Sequence, residues 1–270
     1  MDINQVLQEL DELFQTGQID KVEDFLIGKY EQAEEERDFG ARLCILNELI
    51  GYYRDMTKHE EAARIAALIL ATIEEAGLKD TLAEGTSLMN IANTYRFLGR
   101  YEESKQCYGR VQEIYERLLE KGDMRWAGLY NNMSLLYNAL GDYQGAVDSL
   151  QNALEIVKEK DEAKIQLAVT YTNLGQAYLR LQKWKEGEET LLEAEKIFTA
   201  TSKKDCHYCG CANALGALYY GLGRYEESVR YYKEALENLK ETVGITENYQ
   251  LVQENLRQAE AALGAGRNNS

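Results

Sequence analysis

The fold is decided by one stretch, Leu129-Tyr130-Asn131-Asn132-Met133-Ser134-Leu135-Leu136-Tyr137-Asn138-Ala139-Leu140-Gly141-Asp142-Tyr143-Gln144-Gly145-Ala146. Variants of this stretch return at residues 88–104, 171–187 and 212–228. A stretch that recurs at a fixed spacing indicates that one small structural unit is repeated along the chain. We therefore expect a continuous repeat array, whereas a length of 270 residues alone would suggest one or two globular domains.

A short turn marks each unit. The turn positions lie 40 to 42 residues apart and are occupied by Gly17, Thr57, Gly99, Gly141, Gln182 and Gly223. Four positions earlier the chain carries Leu13, Tyr53, Tyr95, Tyr137, Tyr178 and Tyr219. Five positions later it carries Val22, Ala62, Ser104, Ala146, Gly187 and Ser228. Because Gly readily adopts the positive φ of a helix end and small residues allow close packing, each unit is predicted to be two helices.

The predicted fold is all-α, with about six helix-turn-helix repeats. The predicted repeats are residues 1–38, 39–79, 80–122, 123–160, 161–204 and 205–241, within a single domain over 1–263. Residues 245–263 have no second helix after them, so we expect a capping helix that covers the open end of the array. Residues 264–270 are predicted to be a flexible tail.

These repeats resemble the tetratricopeptide repeat. The resemblance is carried by the order apolar or aromatic, small, Tyr, Gly-x-Tyr and Ala, as in Leu140-Gly141-Asp142-Tyr143 and Leu222-Gly223-Arg224-Tyr225. The period is near 42 residues instead of about 34, which is similar to kinesin light chains and to bacterial regulators that sense peptides. The chain contains no proline, so the usual helix-ending proline is missing. The resemblance implies a right-handed α-solenoid whose first helices line a concave groove that binds a peptide.

Asparagines in the first helices are the leading candidates for this groove. Asn90, Asn132 and Asn173 share one register in three consecutive units, which we name the ladder position. A carboxamide has both donors and an acceptor, so it suits a peptide backbone of any sequence. Alternatively, these residues only hold neighbouring helices in register. The predicted groove residues are Asn90, Asn93, Arg96, Phe97, Asn131, Asn132, Asn138, Thr172, Asn173, Gln176, Arg180, Asn213 and Tyr220.

A cluster of soft ligands is the only candidate for a metal site. Cys206, His207, Cys209 and Cys211 lie within six residues, and C-x-x-C is half of a typical zinc site. The second half is missing, and aligned units carry apolar residues at the cysteine positions. We therefore favour a packing role, and we predict no metal and no cofactor.

Charge and motifs argue against several function classes. The formal net charge is −16, and residues 1–40 hold 12 acidic and 3 basic residues, which disfavours nucleic-acid binding. No apolar run reaches membrane-spanning length, and residues 1–25 lack the basic-then-apolar order of a signal peptide, so we predict a cytoplasmic protein without membrane contact. No P-loop, G-x-S-x-G or H-E-x-x-H motif is present, so we predict that the protein is not an enzyme.

The predicted function is therefore a protein–protein interaction module that binds a peptide segment of a partner protein. One alternative is a self-associating scaffold with an empty groove, since surplus tyrosines such as Tyr220 and Tyr232 favour interfaces and make a homo-oligomer possible. Another alternative is a metal- or redox-responsive module that uses the cluster from Cys206 to Cys211.

Overall fold

The computed structural model describes residues 1–201, 207–242 and 247–268, and these ranges contain helices and no strand. The predicted all-α repeat fold is confirmed. The helices are α1 (Ile3–Gln15), α2 (Val22–Glu35), α3 (Phe39–Asp55), α4 (His59–Glu75), α5 (Leu82–Phe97), α6 (Tyr101–Leu118), α7 (Met124–Leu140), α8 (Tyr143–Val157), α9 (Lys164–Arg180), α10 (Trp184–Thr201), α11 (Tyr208–Gly221), α12 (Tyr225–Thr242) and α13 (Glu247–Asn268). Short 3₁₀ turns lie at Ile19–Lys21 and Asp161–Ala163. Among the described residues, none of the helices has the length and apolar character needed to cross a membrane.

All six predicted turn positions have positive φ. The angles range from 55° at Thr57 to 77° at Gly141. At every turn the next residue donates its backbone N–H to the carbonyl oxygen of the residue four positions before the turn, as from Asp142 to Tyr137 at 2.9 Å. This bond is the Schellman motif that ends a helix. The spacing in the sequence therefore located the end of each first helix correctly.

The helices group into two compact units, which we describe separately. Unit 1 is Met1–Lys121 and holds α1 to α6, and unit 2 is Gly122–Ser270 and holds α7 to α13. Unit 1 has a core of aliphatic side chains that includes the fully buried Leu46 and Ile91. The main core of unit 2 is built around Phe198, Leu215 and Leu218. One continuous domain over residues 1–263 stays a prediction.

Small residues bring the two helices of a repeat together. Ser104 and Ser228, five positions after their turns, are fully buried. Each donates its hydroxyl to a backbone carbonyl of the first helix, at 2.8 Å in both cases, to Ala92 and to Gly216. A larger side chain at these positions would separate the helices and leave the buried carbonyl without its second donor.

The last helix is longer than the sequence predicted. The predicted capping helix ends at Leu263, but α13 continues to Asn268, and residue 245 lies outside the described ranges. The residues after Leu263 include Gly264 but no proline, so no ring clash stops the helix at that point. Residues 264–268 of the predicted tail therefore belong to α13. Val252 and Ala259 are buried, so the inner face of α13 covers the end of unit 2.

Candidate functional site

In unit 1 a hydrogen-bonded pair of carboxamides joins α3 to α5. The Asn90 Nδ2 donates to Asn47 Oδ1 at 3.0 Å. Asn47 in turn donates to the Leu43 carbonyl oxygen and to Ser87 Oγ, both at 2.9 Å. Both partners of this amide pair are half-buried. The Nδ2 group of the ladder residue Asn90 is thus already hydrogen-bonded to the neighbouring repeat.

The same amide pair occurs in unit 2 between α7 and α9. The Asn173 Nδ2 donates to Asn131 Oδ1 at 3.1 Å. Asn131 donates to the Ala127 carbonyl oxygen and to Thr170 Oγ1, both at 3.0 Å. Every hydrogen bond of the first pair has its counterpart here. These contacts give the amides a role in holding first helices in register, as the alternative interpretation of the sequence proposed.

The amide pair forms only where Asn directly precedes the ladder position of the earlier repeat. Asn47 and Asn131 meet this condition, whereas the repeat that follows each of them has Met89 or Thr172 at the same register. Met89 has no carboxamide, and the Thr172 hydroxyl donates instead to the Ala168 carbonyl oxygen at 2.9 Å. This alternation is visible in the sequence one residue before the ladder position, but the hydrogen bonds that it allows are shown by the structure.

Asn132 is the ladder residue that stays free. Its side chain is half-buried and makes no hydrogen bond within the described residues. It lines a cleft of about 450 Å³ in unit 2, which we name the Asn132 cleft. The walls of the cleft come from α7, α9 and the residue before α11, and its lining residues are Met124, Arg125, Ala127, Gly128, Asn131, Asn132, Ile165, Gln166, Val169 and His207. The cleft combines an apolar floor with an unbonded carboxamide.

A second group of predicted residues lies together on unit 1. The Tyr108 hydroxyl donates to Asn93 Oδ1 at 2.7 Å. The Arg96 guanidinium lies 4.5 Å from the centroid of the Phe97 ring, and the Arg54 guanidinium lies 5.9 Å from the same centroid. Phe97 is 52% exposed although it is a large apolar residue. Asn93, Arg96 and Phe97 are predicted groove residues, whereas Tyr108 lies on the second helix α6, where no groove register pointed to it.

The remaining predicted groove residues differ in accessibility. Thr172 is only 5% exposed, which leaves almost no surface for a ligand, so the structure does not support its assignment to the groove. Asn138 and Asn213 are half-buried, and the Oδ1 atom of each is buried without a hydrogen-bond partner. The Tyr220 ring lies 5.6 Å from that of Tyr225. Gln176 is half-buried and Arg180 is exposed.

The structure gives the cysteine cluster little support as a metal site. Cys206 lies outside the described residues. Cys211 is fully buried in the core of unit 2, and Cys209 packs against that core, whereas His207 is exposed. Within the part of the chain that the structure describes, no three His, Cys, Asp or Glu side chains are grouped to hold a metal ion.

Sequence comparison identifies a repeat family and plant relatives. A family model described as tetratricopeptide repeat matches residues 41–117, 127–200 and 166–241. The kinesin light chain-related protein 3 of Arabidopsis thaliana is 26% identical over 185 residues, which cover 68% of this chain and 28% of that protein. The related protein 1 of the same plant is 28% identical over 200 residues, which cover 73% and 32%. The chain thus spans less than a third of the length of these curated relatives.

Structure comparison finds the same helical fold. BtubC (BKLC) from P. vanneervenii has a TM-score of 0.64 and 25% identity, and the match covers 73% of this chain and 80% of that one. NprR in complex with its cognate peptide NprX has a TM-score of 0.71 and 14% identity, with coverage of 98% and 77%. At 14% identity the likeness to NprR concerns the fold alone.

Proposed function

The chain belongs to the tetratricopeptide repeat family, a family of protein–protein interaction scaffolds, and we propose that it binds a peptide segment of a partner protein on the first helices of unit 2. Families of this type are generally non-enzymatic interaction modules. The proposal therefore concerns recognition, and the role of the chain is to hold a partner through a short segment.

The Asn132 cleft carries this proposal. Its apolar residues, such as Met124, Ile165 and Val169, suit an apolar side chain of the ligand. Beside them, the Asn132 carboxamide has a free acceptor and free donors within reach of a backbone peptide group. An apolar pocket next to an unbonded amide is the combination that an extended peptide needs, since it has side chains to bury and backbone groups to satisfy.

A neighbour of the same fold gives further support. NprR was solved with its cognate peptide, so this arrangement of helices can hold a peptide. In the present chain the amide pair joins Asn131, which directly precedes Asn132 in the sequence, to Asn173 on α9. Fixed neighbours restrict the motion of the binding helix, which lowers the entropy lost when a ligand binds.

We expect the substitution Asn132→Ala to weaken peptide binding by at least about tenfold without loss of stability. In the variant, the peptide loses its hydrogen bonds to the Asn132 carboxamide. Together these bonds contribute about 1.4 kcal/mol or more to the free energy of binding. The fold loses no hydrogen bond, and Ala is a better helix former than Asn. Peptides selected from a random displayed library on the intact chain provide the ligand, and fluorescence anisotropy measures Kd.

The matched control is Asn152→Ala, which removes an exposed carboxamide from α8. This variant should bind the selected peptides as the unchanged protein does. If Asn132→Ala binds them equally well, the Asn132 cleft is not the binding site. If no peptide is selected at all, peptide recognition itself is refuted.

The other interpretations of the sequence stay predictions. Self-association is tested by sedimentation of the purified chain, and metal binding by measuring zinc in protein prepared without a tag. Cytoplasmic location is likewise a prediction.

A further inference from the structure

Basic and aromatic residues meet at one edge of unit 2. Residues 180–185 read Arg-Leu-Gln-Lys-Trp-Lys and include three basic residues and no acidic one. The Trp184 ring packs on Gly221 of the next repeat, where an added Cβ would lie 2.9 Å from Trp184 Cζ3. The ring therefore lies beside the end of α11, which carries Tyr220 and Leu222, and all three side chains are more than a third exposed. We name the surface of Arg180, Lys183, Trp184, Lys185, Tyr220 and Leu222 the Trp184 edge.

The cations of the Trp184 edge have few opposite charges near them. Within the part of the chain that the structure describes, Arg180 and Lys183 form no ion pair, and the Lys183 Nζ lies over the Tyr178 ring, 5.9 Å from its centroid. Lys185 is 3.9 Å from Glu189, at the limit of an ion pair. Lys185 is also the second residue of α10, where α4, α6 and α12 each carry Glu. Because the start of a helix is its positive end, helix stability does not favour a lysine at this position.

A cleft of the opposite charge lies in unit 1 between α1 and α2. Its volume of about 280 Å³ is small for a ligand pocket but sufficient for part of one large side chain. Its lining residues are Glu9, Glu12, Leu13, Thr16, Gln18 and Phe25, and we name it the Phe25 cleft. Leu13 and Phe25 supply its apolar surface.

Glu12 is the uncompensated charge at the rim of the Phe25 cleft. Glu9 is paired with Lys29 at 2.9 Å, whereas Glu12 is exposed and forms no ion pair in the described ranges. Glu12 also lies in the last turn of α1, at the negative end of the helix. Glu12 and Lys185 thus share one property, since each has a charge that its own helix disfavours.

We propose that copies of this chain associate head to tail, with the Trp184 edge of one copy on the Phe25 cleft of a second copy. Trp184 covers the apolar surface of the cleft, and the cations around it face the carboxylates at the rim. Because two different surfaces meet, the contact repeats from copy to copy and gives open chains or closed rings, not a symmetric dimer. The contact is separate from the Asn132 cleft, so it does not depend on the proposed peptide binding.

Charge complementarity favours a second copy as the occupant. The net charge of −16 opposes contact between most faces of two copies, so a pairing of opposite charges is strongly selected. Residues 1–40, which contain the cleft, hold 12 acidic and 3 basic residues. An anionic membrane would also attract the three cations of the edge, but it would repel the acidic remainder of the chain.

Two charge reversals test the contact while keeping the fold. Lys185→Glu places an acid at the positive end of α10, and Glu12→Lys places a base in the last turn of α1. Both changes agree with the helix dipole, so each variant should have a Tm at least equal to that of the unchanged protein. The matched controls are Lys164→Glu, in the first turn of α9, and Glu116→Lys, in the last turn of α6.

Sedimentation velocity of the intact chain measures the association. The average mass should rise with concentration at about 10 mM NaCl and return to that of the monomer at about 500 mM, because salt screens the attraction. Each reversal alone should weaken self-association at least about tenfold, and each control less than twofold. A mixture of Lys185→Glu and Glu12→Lys chains should associate to within about threefold of the unchanged protein, because every edge then finds a cleft of opposite charge.

Three results would overturn the head-to-tail contact. The first is a monomer at low salt up to about 200 µM, since even a small contact of opposite charges is detectable in this range. The second is self-association that the reversals do not weaken or that the mixture does not restore. The third is binding to phosphatidylserine vesicles that Lys185→Glu abolishes in a chain that stays monomeric, which would assign the Trp184 edge to a membrane. Peptide affinity is measured separately, so its failure would refute the proposed function and not this contact.

Discussion

At the scale of single residues, every turn position of the repeat has positive φ. Four of the six are Gly, but Thr57 and Gln182 adopt φ of 55° and 57°. A residue with a Cβ is strained in this conformation, and a β-branched one most of all. This strain is offset by the backbone hydrogen bond that ends every first helix. At Thr57 the bond runs from the Lys58 N–H to the Tyr53 carbonyl oxygen at 2.8 Å.

Replacing Thr57 by Gly should therefore stabilise the protein by about 1 kcal/mol. The same substitution at Thr86, an exposed residue within α5, serves as the control. There it should destabilise by about 0.5 kcal/mol, because Gly is a poor residue for a helix interior. Denaturant unfolding followed by circular dichroism measures both. A loss of stability for Thr57→Gly would show that the hydroxyl or the methyl group of Thr57 outweighs the strain.

At the scale of helices, glycine allows the two helices of a repeat to pack closely at the contact of α9 with α10 and at that of α11 with α12. A Cβ added to Gly175 on α9 would lie 2.5 Å from Leu191 Cγ on α10. Leu191 is fully buried, so it has little room to move. Likewise, a Cβ on Gly216 of α11 would lie 2.7 Å from the Tyr232 ring of α12. At these two positions glycine is needed because the helices pack too closely for a Cβ, and not because the backbone has positive φ.

We expect Gly175→Ala to destabilise the protein by about 2 kcal/mol through overpacking. Gly109→Ala is the matched control, because Gly109 lies within α6 and a Cβ there meets no heavy atom within 4 Å. The control should stabilise by about 1 kcal/mol, since Ala is the better helix former. Thermal unfolding of both variants gives the comparison. Equal effects in the two variants would mean that α9 and α10 can move apart without cost.

The helices were largely predictable from the sequence, and the state of each candidate side chain was less so. Spacing located the turns because a helix end at positive φ restricts residue choice at one position. It did not separate the bonded Asn173 from the unbonded Asn132, because that difference depends on whether the preceding repeat supplies an acceptor, as Asn131 does for Asn173. Likewise, the hydrogen bond from the Tyr108 hydroxyl to Asn93 joins α6 to α5, so the register of the first helices alone does not show it.

At the scale of the whole molecule, charge is distributed unevenly. Unit 1 has 25 acidic and 14 basic residues and a net charge of −11, whereas unit 2 has 21 and 16 and a net charge of −5. Many of the ion pairs in unit 1 lie at the surface, where each contributes little. Mutual repulsion among the excess carboxylates therefore acts mainly on unit 1, and most strongly on α1 and α2.

Added salt should consequently raise the Tm of the intact protein by a few degrees. Between about 10 mM and about 150 mM NaCl the screening length falls from about 30 Å to about 8 Å, which weakens this repulsion. Hydrogen exchange should slow most within residues 1–40, which include 12 acidic and 3 basic residues. A Tm that falls with salt would indicate that attractive ion pairs outweigh the excess charge.

The amide pair also has a consequence for how such a chain can be rebuilt. Asn47 with Asn90 and Asn131 with Asn173 return after two repeats, not after one. The smallest cassette that carries a complete pair is therefore two repeats, such as residues 39–122 or 123–204. An engineer who duplicates residues 80–122 or 161–204 alone places the copied Asn90 or Asn173 after a repeat that carries Met89 or Thr172, and so without its acceptor. Duplicating a two-repeat cassette copies donor and acceptor together.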